Sequence, residues 1–196
     1  LSITRGNSTE QPAAKIGAPI RGRESKVITT ERMVLRPLTE DDGEFMLALL
    51  NDPGFLRFVG DRQVRTVDAA VEYLCQGILR SYTDYGFGMY LCQRSEDGAA
   101  MGICGLVKRE WLPDFDLGYG LLRPYVGKGY AKEAGLAIVE QARQLGLPRV
   151  LAIVQPDNAV SIGLLQALGF AYLRTEPANV DDCELKVYAL DMTGAT

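Results

Sequence analysis

Residues 116–154 restrict the fold more than any other part of the chain. Asp116-Leu117-Gly118-Tyr119-Gly120-Leu121-Leu122 reads as a strand, although Gly118 and Gly120 weaken it and suggest a bulge or a close approach to its backbone. A turn with two glycines, Gly127 and Gly129, follows. Residues 128–145 then read as a helix with Ala131, Ala134, Gly135, Ile138, Ala142 and Leu145 on one face, stopped by Gly146 and Pro148. Residues 150–154 are uniformly apolar, as in a buried strand. Strand, glycine turn, helix and buried strand in succession require a sheet with a helix packed on it.

The turn also suggests a ligand. Gly127 and Gly129 let the backbone bend and bring its amides close to a bound group. Those amides and the helix N-terminus suit an anion such as pyrophosphate, and Lys128 adds a point charge. A helix start with convenient glycines would look the same. A P-loop is excluded, because it needs four residues between its first Gly and Gly-Lys-Ser/Thr; Gly129 and Tyr130 follow Lys128 here, and the Ser/Thr is missing. The dinucleotide fingerprint is excluded because Lys132 stands at its third glycine.

The flanking segments extend the pattern. Residues 27–36 read as a strand ended by Pro37. Thr39 caps a helix that buries Phe45, Met46, Leu49 and Leu50 and stops at Asn51-Asp52-Pro53-Gly54. A second helix starts near Thr66 or Asp68. Residues 87–93 and 100–107 form a hairpin about Ser95-Glu96-Asp97-Gly98. Asp157 or Asn158 caps a short helix ending at Gly169, and residues 170–174 and 184–191 are the last strands. The expected fold is α/β, with a mixed sheet of about seven strands and helices on both faces. Residues 1–26, rich in Ser, Thr, Gly, Pro and Ala, read as a flexible arm before one domain at 27–196.

Composition removes several functions. There is no histidine, so the Ser-His-Asp triad, the Cys-His pair and histidine-ligated metals are excluded, and no metal is expected. The base must be a carboxylate, tyrosine, lysine or water relay. A net charge of -4 without a basic stripe argues against nucleic acid. The apolar runs are too short to span a bilayer, and no secretory signal is apparent. Cys75, Cys92, Cys104 and Cys183 form no CxxC pair and read as reduced core thiols, so a cytoplasmic location is expected.

The stretch Arg123-Pro124-Tyr125-Val126-Gly127-Lys128-Gly129-Tyr130-Ala131 resembles the acyl-CoA loop of the GNAT acetyltransferases, Gln/Arg-x-x-Gly-x-Gly/Ala. Gly129 and Ala131 match its last fixed places, while Val126 stands where Gln or Arg is usual. It is closest to the RimJ/RimL-type branch, in which an apolar residue before Gly-Lys-Gly-Tyr-Ala is common. Thr30-Glu31-Arg32-Met33-Val34-Leu35-Arg36-Pro37-Leu38 looks like that branch's opening strand, and Leu117-Gly118-Tyr119 like its central strand. Asn158, Ser161, Gly169 and Phe170 look like its Asn-x-x-Ser helix ending in Gly-Phe.

The resemblance implies acetyl-CoA as cosubstrate and direct attack by an amine in a ternary complex. Backbone groups of Leu121 and Leu122, or their neighbours, would pair with the pantetheine and polarise the thioester carbonyl. Gly127, Lys128, Gly129, Tyr130 and Ala131 would hold the pyrophosphate, and Asn158 the pantetheine. Many relatives supply the proton donor as a tyrosine seven residues after that Asn; here Leu165 occupies the place, so Ser161 is the candidate donor. Ser161 also fits as an ordinary polar residue of a first helical turn. Asp116 and Glu110, with Asp114, are candidate bases or solvated flanking acids. Trp111, Phe115 and the loop Phe55-Leu56-Arg57-Phe58 are candidate pocket walls or core. The acceptor would be a peptide N-terminus or a small amine. Edge-strand homodimers occur in similar proteins. A non-catalytic acyl-CoA sensing module is the competing reading.

Overall fold

The computed structural model describes residues 26–177 and 184–192. Most of the expected arm, and Cys183, lie outside the described residues. The elements in chain order are β1 (Ile28–Thr29), β2 (Met33–Pro37), a 3-10 turn (Glu40–Asp42), α1 (Gly43–Leu50) and α2 (Pro53–Phe58). Next come α3 (Val67–Tyr73), a π-helical segment (Leu74–Leu79), α4 (Arg80–Tyr85), β3 (Met89–Arg94), β4 (Ala100–Val107) and β5 (Asp116–Leu121). A 3-10 turn (Arg123–Tyr125), α5 (Tyr130–Gln144), β6 (Arg149–Val154), α6 (Ala159–Ala167), β7 (Ala171–Pro177) and β8 (Glu184–Asp191) complete it.

The strands form one mixed sheet in the order β1-β2-β3-β4-β5-β6-β8-β7, antiparallel throughout except where β5 runs parallel to β6. It has eight strands rather than about seven, because the opening strand breaks at Thr30–Arg32 into β1 and β2, which pair antiparallel. Alternation along the strands divides the core. Leu35, Tyr90, Cys104, Leu106 and Leu117 face α5 and α6 with Ile138, Val139, Leu165 and Leu168. Leu91 and Ile103 face the other way, onto Met46, Leu49, Leu74 and Phe55 of the N-terminal helices. Among the described residues, no helix is long and apolar enough to cross a membrane.

Two differences from the sequence reading bear on the site. Asn51-Asp52-Pro53-Gly54 ends α1 but also begins α2, with the Asp52 carboxylate accepting from Gly54 N–H and Pro53 in the first turn. The expected loop Phe55-Leu56-Arg57-Phe58 is therefore helical. Its Phe55 ring lies over β5 at Gly120, where an added Cβ would stand 3.1 Å from the ring, so the glycine makes room for α2. Phe115 is core rather than pocket wall: it is buried against Tyr85 and Phe87, with ring centroids 5.2 and 5.0 Å away.

Candidate active site

β5 is fully paired on one edge and nearly unpaired on the other. It matches β4 from Asp116↔Val107 to Leu121↔Gly102, but meets β6 at Asp116↔Leu151 alone. The two parallel strands part beyond that point. Leu122 N–H donates to Met101 O at 2.9 Å, which fixes the alternation: Leu122 and Gly120 direct their backbone groups to β4, and Tyr119 and Leu121 direct theirs into the opening. Of Leu121 and Leu122, the two candidates for a pantetheine, Leu121 presents its backbone to the opening. Leu122 N–H is already committed.

The glycine turn follows the open end of β5, after the 3-10 turn at Arg123–Tyr125. Gly127 and Gly129 have φ of 77° and 83°, the left-handed region that glycine adopts without strain. The helix starts at Tyr130 rather than 128, so Gly127, Lys128 and Gly129 form a turn leading into the α5 N-terminus. No atom lies within 4 Å of where a Cβ on Gly127 would sit.

A clamp from the β1–β2 turn braces this loop. Arg32 donates from Nε to Glu133 Oε2 at 2.7 Å and from Nη1 to Lys128 O at 3.0 Å, and its guanidinium lies 4.6 Å from the Tyr130 ring centroid. Glu133 Oε1 also accepts from Thr30 Oγ1 at 2.6 Å and Arg32 N–H at 2.8 Å. Burial would raise the Glu133 pKa, but these donors and the Arg32 charge together hold it below the ordinary value. A groove of about 520 Å³ beside the clamp is lined by Glu31, Arg32, Gly129, Lys132, Glu133 and Leu136, and by none of Asp116, Tyr119 or Ser161. Asp52 makes a second brace: its Oδ2 accepts from Arg123 N–H at 3.1 Å, tying α2 to the end of β5.

Asn158 caps α6, and its Oδ1 accepts from Ser161 N–H at 3.1 Å. That oxygen is occupied by the cap, which leaves the side-chain NH2 for a ligand. Ser161 Oγ accepts from Tyr119 Oη at 2.7 Å, so strand β5 and helix α6 are joined by hydroxyls. Burial raises the Tyr119 pKa and keeps the phenol a donor. Leu165, in the next turn of α6, is buried and apolar. Arg57 of α2 pairs with Asp157 at 3.6 Å, which brings the end of α2 near the start of α6, and its guanidinium lies 4.8 Å from the Phe58 ring centroid.

The acidic candidates separate. Asp116 is 1% exposed, with Oδ1 accepting from Arg109 Nε at 2.9 Å and Oδ2 buried without a hydrogen bond. Burial pushes its pKa up to about 6, against the opposing pull of Arg109. Asp114 is paired with Arg149, and Glu110 is exposed. Trp111 is 37% exposed beside them. Lys108 Nζ donates to Leu112 O at 2.5 Å and Pro113 O at 3.1 Å, and so fixes the loop carrying these residues.

The sequence reading did not contain the Arg32–Glu133 clamp, the Asp52 brace or the Tyr119–Ser161 bond. Their partners lie 101, 71 and 42 residues apart. The only local signals were Glu133 in a first helical turn and Tyr119 flanked by two glycines.

A sheet parted between two parallel strands, with a two-glycine turn leading into the following helix, leaves a strand edge and backbone amides open to a ligand, and the family to which the chain belongs says which chemistry they serve. The chain belongs to the GNAT acetyltransferase family: residues 32–171 match the family model described as the acetyltransferase (GNAT) domain. Uncharacterized protein YkkB of Bacillus subtilis (strain 168) is 28% identical over 155 residues, covering 76% of this chain and 87% of that protein. A putative GnaT-family acetyltransferase from Bordetella pertussis superposes with a TM-score of 0.71 at 24% identity, over 84% of this chain and 98% of that one. RimL, a ribosomal L7/L12 alpha-N-protein acetyltransferase solved with coenzyme A, superposes with a TM-score of 0.74 at 18% identity, over 85% and 98%. At these identities the two structural likenesses establish the fold.

Proposed function

We propose that the protein transfers the acetyl group of acetyl-CoA to a primary amine, a peptide N-terminus or a small-molecule amine, by direct attack in the opening between β5 and β6. The observation that carries this reading is the open β5 edge at Tyr119 and Leu121, lying between the Gly127–Gly129 turn and Ser161. The turn amides and Lys128 suit the pyrophosphate, with Tyr130 and Ala131 opening the helix behind them. The Leu121 N–H suits the thioester oxygen; a single such donor contributes ~2.7–4 kcal/mol where it has been removed.

Two proton steps remain. An alkyl ammonium has a pKa of roughly 10 and must lose a proton before attack. Asp116, raised to about 6, matches that task better than an ordinary carboxylate. It lies three residues from Tyr119, ~10 Å along the strand, so the proton passes by way of water. The exposed Glu110 and Trp111 lie on the loop before β5 and would meet a cationic acceptor, and Phe58, at the end of α2, is a further candidate for the acceptor pocket. Ser161 donates a hydrogen bond to the departing sulfur. RimL acts on a protein N-terminus, which favours peptides as the first acceptors to try.

The test is product identification by mass spectrometry after incubation with acetyl-CoA and a panel of peptides, polyamines, aminoglycosides and amino acids. An acetylated product lost in Asp116→Asn and Ser161→Ala supports the assignment. Binding of acetyl-CoA with no product from any amine would favour the sensing module instead.

A further inference from the structure

Tyr119 occupies both sides of the chemistry. Its backbone faces the opening between β5 and β6, while its side chain crosses to α6 and donates to Ser161 Oγ at 2.7 Å. A serine hydroxyl has one proton and two lone pairs. With the phenol donating into one lone pair, the serine proton must point away from Tyr119. The Ser161 backbone is held separately, by the bond from its N–H to Asn158 Oδ1. Leu165 brings only hydrocarbon to the next turn of the helix, so the donor on this wall is the hydroxyl pair.

We propose that Tyr119 is a positioning residue for the leaving thiol, holding Ser161 so that the serine proton is aimed at the departing sulfur and donates more strongly. This rests on Ser161 being the donor. In the step itself the C–N bond forms, the C–S bond breaks, and sulfur leaves with the bonding pair. The ammonium loses one proton before attack and the nitrogen a second as the amide forms; both leave by way of water, Asp116 taking each in turn and passing it to solvent. Both hydroxyls keep their protons, and the sulfur is stabilised by the Ser161 hydrogen bond that the phenol polarises. Tyr119 therefore takes, from the strand, a part in the leaving-group function that Leu165 cannot supply from the helix.

The experiment needs no acceptor amine. Coenzyme A is bound to the wild-type protein, Tyr119→Phe, Ser161→Ala and the double variant. The pKa of its thiol is followed by thiolate ultraviolet absorbance, after subtraction of the protein-alone titration. The wild type should hold the thiol below the value of free coenzyme A titrated alongside it. Ser161→Ala should raise it by about 1–2 pH units, the loss of one hydrogen bond to a charged group. Tyr119→Phe, which removes only an oxygen, should raise it by at least about half a unit, or about threefold in thiolate stabilisation. The double variant should match Ser161→Ala, because the phenol acts through the serine. A Tyr119→Phe value equal to wild type while Ser161→Ala shifts would overturn the role of Tyr119 and leave Ser161 standing. An unshifted Ser161→Ala would remove both. Additive shifts would show Tyr119 acting on the sulfur independently, also against the proposal.

Discussion

Replacing Asp116 by Asn should stabilise the protein at neutral pH. The Asp116 carboxyl is 1% exposed, and burial raises its pKa from 3.8 to about 6 even with Arg109 alongside. Below pH 3.8 the group is protonated in both folded and unfolded chains. Between 3.8 and 6 the folded protein keeps a proton that the unfolded chain has lost, so stability falls as pH rises. Above 6 the full effect is present, about 3 kcal/mol at ~1.36 kcal/mol per pH unit. Asparagine is neutral, nearly isosteric, and still offers an oxygen to Arg109. Arg109 is 30% exposed and can be hydrated, so it is not left as an isolated buried charge. Urea unfolding, followed by the fluorescence of the single tryptophan Trp111, should therefore show the variant up to about 3 kcal/mol more stable at pH 7–8. The gap should close as pH falls through 6 toward 4. Carboxylates shared by both proteins, such as Asp42, Asp97 and Glu133, cancel in the difference. A gap that is zero, negative, or constant from pH 4 to 8 would refute the reasoning. If Asp116 is also the base, the same substitution lowers kcat/KM by ~10²–10⁴ and removes an acidic limb centred near 6.

Three further outcomes follow from the geometry. Gly129→Ala places a side chain at φ 83° with its Cβ 3.3 Å from Arg32 Nη2; it should destabilise the loop by ~1–3 kcal/mol and weaken acetyl-CoA binding about tenfold in calorimetry, and unchanged affinity would contradict the loop's assignment. Glu133→Ala removes the acceptor shared by Thr30 and Arg32 and should lower stability by ~1–3 kcal/mol, with Glu133→Gln intermediate. Because Glu133 titrates below its ordinary value, the wild-type advantage over Glu133→Gln should be present at pH 7 and shrink as pH falls below about 4.5, checked by thermal melts. Phe55→Ala empties the space above Gly120; a loss of ~3–5 kcal/mol is expected in urea unfolding, and a loss below 1 kcal/mol would mean α2 is not seated on β5.

Local pattern accounts for much of this molecule. Period-two and period-3.6 spacing, glycine stops and capping residues such as Thr39 and Asn158 depend on atoms a few residues apart, and they anticipated most of the elements. Asp52-Pro53 misled because the same residues that stop one helix also cap the next, and nothing within a few positions distinguishes the two. The two-glycine turn was legible because the left-handed φ of Gly127 and Gly129 is a property of the backbone itself, whatever the neighbouring side chains are. Family resemblance then made Ser161 a candidate donor, and Asp116 was a candidate base from its place at the head of the central strand.

Their environments belong to the tertiary structure alone. That Asp116 is buried beside Arg109, and not a solvated strand end, depends on how the 108–115 loop folds under Lys108. That Phe115 is core while Trp111 is half-exposed depends on which way one short loop turns. That the Tyr119 phenol meets Ser161 depends on β5 and α6 being brought together across the sheet. Burial, the direction of a pKa shift and side-chain bonds across 42 to 101 residues are properties of distance in space. The sequence by itself determined most of the elements, the glycine turn and the residue types able to do the chemistry. The fold alone decided which of them meet, and how dry their surroundings are.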